Sequence, residues 1–217
     1  MNKIEILKSE KDGLKIKADI PRMAKEGWES ISEDDIQRLK WYGLFLRNPT
    51  PGFFMLRVRI PNGFSVSYQI RALCFIAETF GNGIIDITTR QQVQLRQLKI
   101  ENVPEVFDLL EEAGLTSTQT GLDNVRNIIG CPVAGLNPKE RVNPYAQVKA
   151  LTEHILNNSE FSNLPRKFNV AISGCMSDCV HAETQDLALV PAVQEKGGNR
   201  VYGFNVLVGG KLGSGGY

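Results

Sequence analysis

The chain has 217 residues, with 25 Lys and Arg against 24 Asp and Glu for a formal charge of +1, and no run of basic residues. That balance excludes a nucleic-acid protein working through bulk electrostatics. No stretch approaches the ~20 apolar residues of a membrane span, while 42% hydrophobic and 23% charged residues suit a globular fold of one large or two small domains.

Residues 1–46 are charged and read as mostly helical, with Trp28 and the Trp41-Tyr42 pair as anchors and a helix start at Ser32-Glu33-Asp34-Asp35. From 47 to 120 the expected order is strand, helix, strand pair, helix, strand. The first helix follows Ser65 with Val66, Ile70, Leu73, Ala77 and Phe80 on one stripe. The second opens at Pro104, gathers Val103, Val106, Phe107 and Leu110, and ends at Gly114. That order fits a ferredoxin-like α+β module. Residues 121–217 predict a turn-rich linker, a helix from Pro144 to Leu156, and strands near Asn169, Leu187 and Phe204. Phe204-Asn205-Val206-Leu207-Val208 has the pattern of a buried strand, yet a glycine-rich tail follows it directly, so the sequence is expected to be cut there.

Alternation places cations together. In Phe54-Met55-Leu56-Arg57-Val58-Arg59-Ile60, the apolar residues Phe54, Leu56, Val58 and Ile60 share one side, and Arg57 and Arg59 share the other. In Arg166-Lys167-Phe168-Asn169-Val170-Ala171-Ile172, Lys167 and Asn169 oppose Phe168, Val170 and Ile172. Between these strands lie Thr88-Thr89-Arg90-Gln91 and Asp123-Asn124-Val125-Arg126-Asn127. A near-neutral protein that gathers cations at strand ends and turns is expected to bind an anion there.

These segments, with Leu164-Pro165-Arg166-Lys167-Phe168-Asn169 and Gly203-Phe204-Asn205-Val206-Leu207-Val208-Gly209-Gly210, resemble the amino-terminal half of the sirohaem-dependent nitrite and sulfite reductase family. The likeness runs from about Trp41 to the last residue, in matching order. It implies an α+β fold in which a ferredoxin-like, parachute-type domain over 47–120 precedes a mixed α/β sirohaem-binding domain over 121–217, as one pseudo-symmetric half of a larger enzyme. The cofactors it implies are sirohaem and a 4Fe-4S cluster, the latter from the missing carboxy-terminal half. Arg90, Gln94 and Arg96 would hold the macrocycle, because arginine meets a carboxylate with two parallel bonds and stays charged.

By the same resemblance Arg57, Arg126, Lys167 and Asn169 form the catalytic group. The reaction implied is an assimilatory, ferredoxin-dependent reduction of nitrite to ammonium, consuming six electrons and several protons. Permanent charge offsets that of the oxyanion, and donors serve the oxygens that leave as water. Asn169 stands where sulfite reductases of the family often carry a second lysine, which favours nitrite over sulfite. A ferredoxin-type electron donor and the carboxy-terminal half are the implied partners. The alternatives are a sulfite reductase half, or a non-catalytic tetrapyrrole- or anion-binding module whose cluster comes from a partner.

The family's cluster sits on a C-x5-C and a C-x3-C pair. Cys175 and Cys179 reproduce the second spacing, but no C-x5-C exists. Either Cys131, Cys175, Cys179 and a fourth ligand hold a cluster, or the pair is a relic of duplication with buried or weakly exposed thiols; no metal ligand is assigned. Cys74 reads as helix core, His154 as solvated, and His181 as a hydrogen-bonded residue beside the strand at Leu187. The cysteine usage and the start of the chain, Met1-Asn2-Lys3-Ile4-Glu5, which lacks an apolar signal core, give cytoplasmic as the expected location.

Overall fold

Ser32 starts a helix because its hydroxyl accepts the Asp35 N–H at 3.1 Å, and Glu33, Asp34 and Asp35 follow in the first turn, where the helix dipole favours acids. The computed structural model describes residues 3–210. In it, helices α1 (Lys3–Glu10), α2 (Ile20–Glu26) and α3 (Glu33–Leu39) turn Leu7, Ile20, Met23 and Leu39 inward. Trp41 is fully buried beside them, its indole N–H donating to Ser162 Oγ at 3.0 Å.

Strands β1 (Leu44–Arg47), β2 (Thr50–Val58), β3 (Ile85–Ile87) and β4 (Val93–Lys99) form an antiparallel sheet in the order β1-β2-β4-β3. Helix α4 (Ser67–Phe80) links β2 to β3, and α5 (Val103–Glu112) follows β4. Past α5, Thr116 pairs antiparallel with Arg59 as an isolated bridge on the β1 edge of β2. The expected ferredoxin-like order is therefore present, with its last strand reduced to one residue pair. Phe54, Leu56, Val58, Leu73, Ile76, Leu95, Val106 and Leu110 form one buried cluster with Leu7, Ile16 and Ile20 of the leading helices.

The stripe of α4 is shifted from the expected one. Leu73, Ile76 and Ala77 are buried with Phe80 packed against them, whereas Ile70 is 44% exposed and Cys74 is half-buried rather than core. Both lie off the centre of the buried stripe, Ile70 by about 60° around the helix.

The second sheet has the order β5-β6-β7-β8, from β5 (Ile129–Gly130), β6 (Val170–Ile172), β7 (Leu187–Lys196) and β8 (Asn199–Val208). Its first three strands are parallel, and β7 and β8 make an antiparallel hairpin. Helix α6 (Tyr145–Ile155) packs Val148 and Ile155 on Val170, Ile172, Val125 and Ile128. The apolar run of β8 is a strand but not a buried one, with Val206 61% and Val208 80% exposed. Among the described residues β8 pairs with β7 alone, so the apolar pattern here marks strand without burial.

The lobes are fastened by polar groups. Lys8 Nζ donates to Leu164 O at 2.8 Å and pairs with Asp123 at 3.1 Å. Ser162 Oγ, holding Trp41, donates in turn to Asn124 Oδ1 at 3.0 Å. Buried polar groups linked in this way fix the seam between the sheets. Among the described residues no helix is long and apolar enough to cross a membrane.

Candidate functional site

The seam carries the cations. Arg57, near the end of β2, is half-buried, with its guanidinium over the Phe45 ring at 4.8 Å from the centroid. Its Nη1 donates to Thr120 O at 3.2 Å, and Arg126 Nη1 donates to the same oxygen at 2.7 Å. One carbonyl therefore holds both guanidiniums on one side of the seam. Gly43, at φ +73°, makes this possible. A Cβ there would stand 2.5 Å from both Arg57 O and Thr120 Oγ1, so only glycine permits the close approach.

Arg59, two residues along, takes a different course from Arg57. It is 1% exposed, and its Nη groups donate to Arg126 O at 2.9 Å, Gln119 O at 3.0 Å and Val125 O at 3.0 Å. Its Nε reaches Thr118 O at 3.4 Å. A buried cation with these four acceptors clamps the 118–126 segment onto the end of β2. Burial, with a smaller push from Arg126, brings its pKa down to about 9, so it stays charged at neutral pH.

The loop between β3 and β4 brings in Arg90. Thr88 Oγ1 accepts the N–H groups of Arg90 at 3.3 Å and Gln92 at 3.1 Å, and Gln91 N donates to Thr88 O at 2.9 Å. Gln91 is held at φ +53°, a conformation costly for a non-glycine residue. Its side chain secures it by a two-way pairing with Gly130, at 2.8 Å to O and 3.0 Å from N. Asn127 Nδ2 donates to Ile60 O, Arg90 O and Gln91 O. Gln185 Oε1 accepts from Arg90 Nη2 at 3.1 Å.

From the segment leading into β6 come Lys167, exposed, and Asn169, half-buried, whose backbone N–H donates to Asp186 at 2.7 Å. Arg57, Arg90, Gln94, Arg126, Lys167 and Asn169 line one cavity of about 430 Å³ with Phe45, Thr88, Thr89 and Gln92. Arg96 lies outside it, its Nε bound to Asp86 Oδ2 at 2.6 Å. Thr89 and Arg90 also line a second cavity of about 510 Å³, which Gln91, Gly130, Cys179, His181 and Gln185 help to form.

Four cations and no carboxylate line the first cavity, although the whole chain is near neutral. Burial, then the charges of Arg57 and Arg90, pull Arg126 down to about 10, still protonated at neutral pH. Arg57 is lowered by burial and then by Arg96 and Arg90. Such mutual repulsion is relieved by a bound anion. Three buried polar atoms of the lining, Gln92 Nε2, Arg126 Nε and Asn169 Oδ1, have no hydrogen-bond partner. A carboxylate-fringed tetrapyrrole needs fixed cations, and this lining offers them.

Gln92, which lies in the loop just before β4, escaped the reading of the sequence. Arg59 was read as facing with Arg57 and instead turns into the protein. Cys131 and Cys175 are each 2% exposed, and Cys179 is exposed. Cys175 Sγ accepts from Asn137 Nδ2 at 3.3 Å. Among the described residues, no group of three or more His, Cys, Asp or Glu side chains is placed to hold a metal ion. Cys131 and Cys175 lie side by side, joined by a side-chain hydrogen bond, with Cys179 close enough to act on the Cys131 thiol. His154 is exposed against the Phe161 ring at 5.2 Å, and His181 is exposed in a left-handed turn.

Two family models match, the nitrite and sulphite reductase 4Fe-4S domain over 121–217 and the nitrite/sulfite reductase ferredoxin-like half domain over 47–113. The chain is 51% identical over 216 residues to a ferredoxin–nitrite reductase of Leptolyngbya laminosa, covering 97% of this chain and 42% of that protein. It is 37% identical to the assimilatory ferredoxin-dependent nitrite reductase of Haloferax mediterranei, covering 98% and 39%. The solved structure of the Mycobacterium tuberculosis NirA protein superposes with a TM-score of 0.88 at 30% identity, over 96% of this chain and 41% of that one. The chain thus spans about two fifths of the length of these relatives.

Proposed function

We propose that this chain, which belongs to the nitrite and sulfite reductase family, supplies the cationic wall of a sirohaem pocket at which nitrite is reduced to ammonium. The observation that carries this reading is a cavity lined by four cations and no acid. Sirohaem, when bound, supplies a redox-active iron. Arg90 and Gln94 would hold its carboxylates, while Arg96, outside the cavity and tied to Asp86, would add charge at the rim.

Arg57 and Arg126 hold the oxyanion by charge, both steadied by Thr120 O. Lys167, whose ammonium has no partner among the described residues, donates protons and is resupplied from solvent, because it is exposed. Asn169 donates a hydrogen bond without titrating. The overall change takes up six electrons and eight protons per nitrite, leaving ammonium and two waters. A ferredoxin-type donor would provide the electrons, and a 4Fe-4S cluster, held by thiolates of a carboxy-terminal half, would supply the redox chemistry between donor and pocket. A cytoplasmic setting, with reduced thiols, accompanies this proposal.

The test is an absorption titration of the intact protein with sirohaem, comparing parent with Arg90→Ala. Loss of one charge-assisted contact is expected to weaken sirohaem binding by roughly 10- to 100-fold. Equal affinity of the two proteins would remove Arg90 from the pocket. Binding of sulfite in preference to nitrite by the loaded protein would transfer the proposal to the sulfite reductases.

A further inference from the structure

Gln185 binds Arg90 from outside the cationic cavity. It stands in the turn before β7, is 6% exposed, and lines the second cavity that Arg90 borders but not the first. Its amide nitrogen is fully committed. Nε2 donates to Val180 O at 3.2 Å, His181 O at 3.2 Å and Thr184 Oγ1 at 3.0 Å. Acceptors gathered on that side fix which way the amide lies. Oε1 is thereby turned to Arg90, accepting from Nη1 at 3.4 Å and Nη2 at 3.1 Å. The backbone is pinned as well, with Gln185 N donating to Ala182 O at 3.1 Å and Gly209 N donating to Asp186 O at 3.1 Å.

A guanidinium on a flexible stem costs affinity when the ligand itself must order it. Gln185 orders it beforehand, and an amide does so without loss of charge. A carboxylate in this place would hold Arg90 as firmly but cancel the charge that a ligand needs. That charge reaches into the cavity, where it helps to push down both Arg57 and Arg126. Asp186, the acid next in sequence, is engaged instead by the Asn169 N–H at 2.7 Å. A single oxygen shared by two Nη groups leaves the rest of the fork for a ligand.

We infer that Gln185 is a positioning residue whose amide oxygen holds the Arg90 guanidinium at the cationic cavity, oriented to receive an anionic oxygen of the ligand. This rests on the reading of that cavity as the sirohaem site. The test is a double-mutant cycle in the intact protein, comparing the parent, Gln185→Leu, Arg90→Ala and the double variant, with sirohaem affinity read by absorption titration and folding checked by urea denaturation. Gln185→Leu is expected to weaken sirohaem binding about 3- to 10-fold in the parent. In the Arg90→Ala background it should change nothing, because no guanidinium remains to be positioned. Gln185→Asn keeps an amide for the turn but withdraws its oxygen from Arg90 by one bond, and should give the same pattern; if Gln185→Leu does not fold, the cycle is run with Gln185→Asn by the same criteria. An equal loss in both backgrounds would make Gln185 a structural residue of the turn and overturn the inference. No loss in the parent background, with Arg90→Ala still weakened, would also overturn it while leaving the pocket assignment standing. A parent that takes up no sirohaem, or an Arg90→Ala variant that binds it as the parent does, overturns the place of Arg90 in the pocket and this inference with it.

Discussion

Arg59→Met is expected to destabilise the protein by at least about 3 kcal/mol, read as a fall in the urea midpoint. Methionine matches much of the volume but leaves Gln119 O, Val125 O and Arg126 O, each within 3.0 Å of the guanidinium, without a donor. These carbonyls cannot be exchanged for apolar groups, and each buried orphan costs roughly 1–3 kcal/mol. Relief of a desolvated charge offsets part of that sum. Arg59→Lys should recover only a fraction, since an ammonium has fewer donors and no planar fork. A change below about 1 kcal/mol in Arg59→Met would mean that the 118–126 segment holds itself, and that Arg59 is no clamp.

Arg126→Ala is expected to separate function from stability. Its guanidinium makes one hydrogen bond, to Thr120 O, and leaves Nε orphaned. It is also repelled by Arg57 and Arg90. Removing it therefore loses one bond and relieves its repulsion with Arg57, Arg59 and Arg90, so the urea midpoint should move little, by about 1 kcal/mol or less. Nitrite turnover by the intact protein, driven by a reduced one-electron donor, should fall about 10²- to 10³-fold, the usual loss for one preorganised charge facing an oxyanion. Turnover within about threefold of the parent would exclude Arg126 from the oxyanion site. A large fall in stability would instead make it part of the seam.

Local pattern located the cavity's residues better than it located their neighbours. Alternation in β2 correctly put Arg57 and Arg59 away from Phe54, Leu56 and Val58. Their separate fates depend on the 118–126 segment, which wraps Arg59 with the carbonyls of Thr118, Gln119, Val125 and Arg126 and meets the Arg57 guanidinium at Thr120 O. That closure is non-local, and no two-residue period reveals it. Gln94 and Arg96 share a face of β4, but Asp86 on the neighbouring strand captures Arg96. Strand pairing decides that, not the sequence of β4.

Gln92 was missed because it lies in the turn before the regular alternation begins. Its orphaned amide becomes visible only when burial and hydrogen bonds are known together. The apolar residues of β8 identified a strand while hiding its exposure, since an edge position is set by sheet order. The ferredoxin-like order of 47–120 was legible throughout because its helices carry a strong apolar period and its strands a clear alternation. The fourth strand shrank to the Thr116 bridge with Arg59 because β1 occupies most of that edge of β2.

A crystal structure of the intact protein grown with sirohaem and nitrite addresses the pocket most directly. Carboxylate oxygens of the ring should lie within hydrogen-bond distance of Arg90, and the nitrite should sit between Arg57, Arg126 and Lys167. Density for either molecule on another surface, with these four side chains facing only solvent, would contradict the assignment of the cationic cavity as the site of reduction.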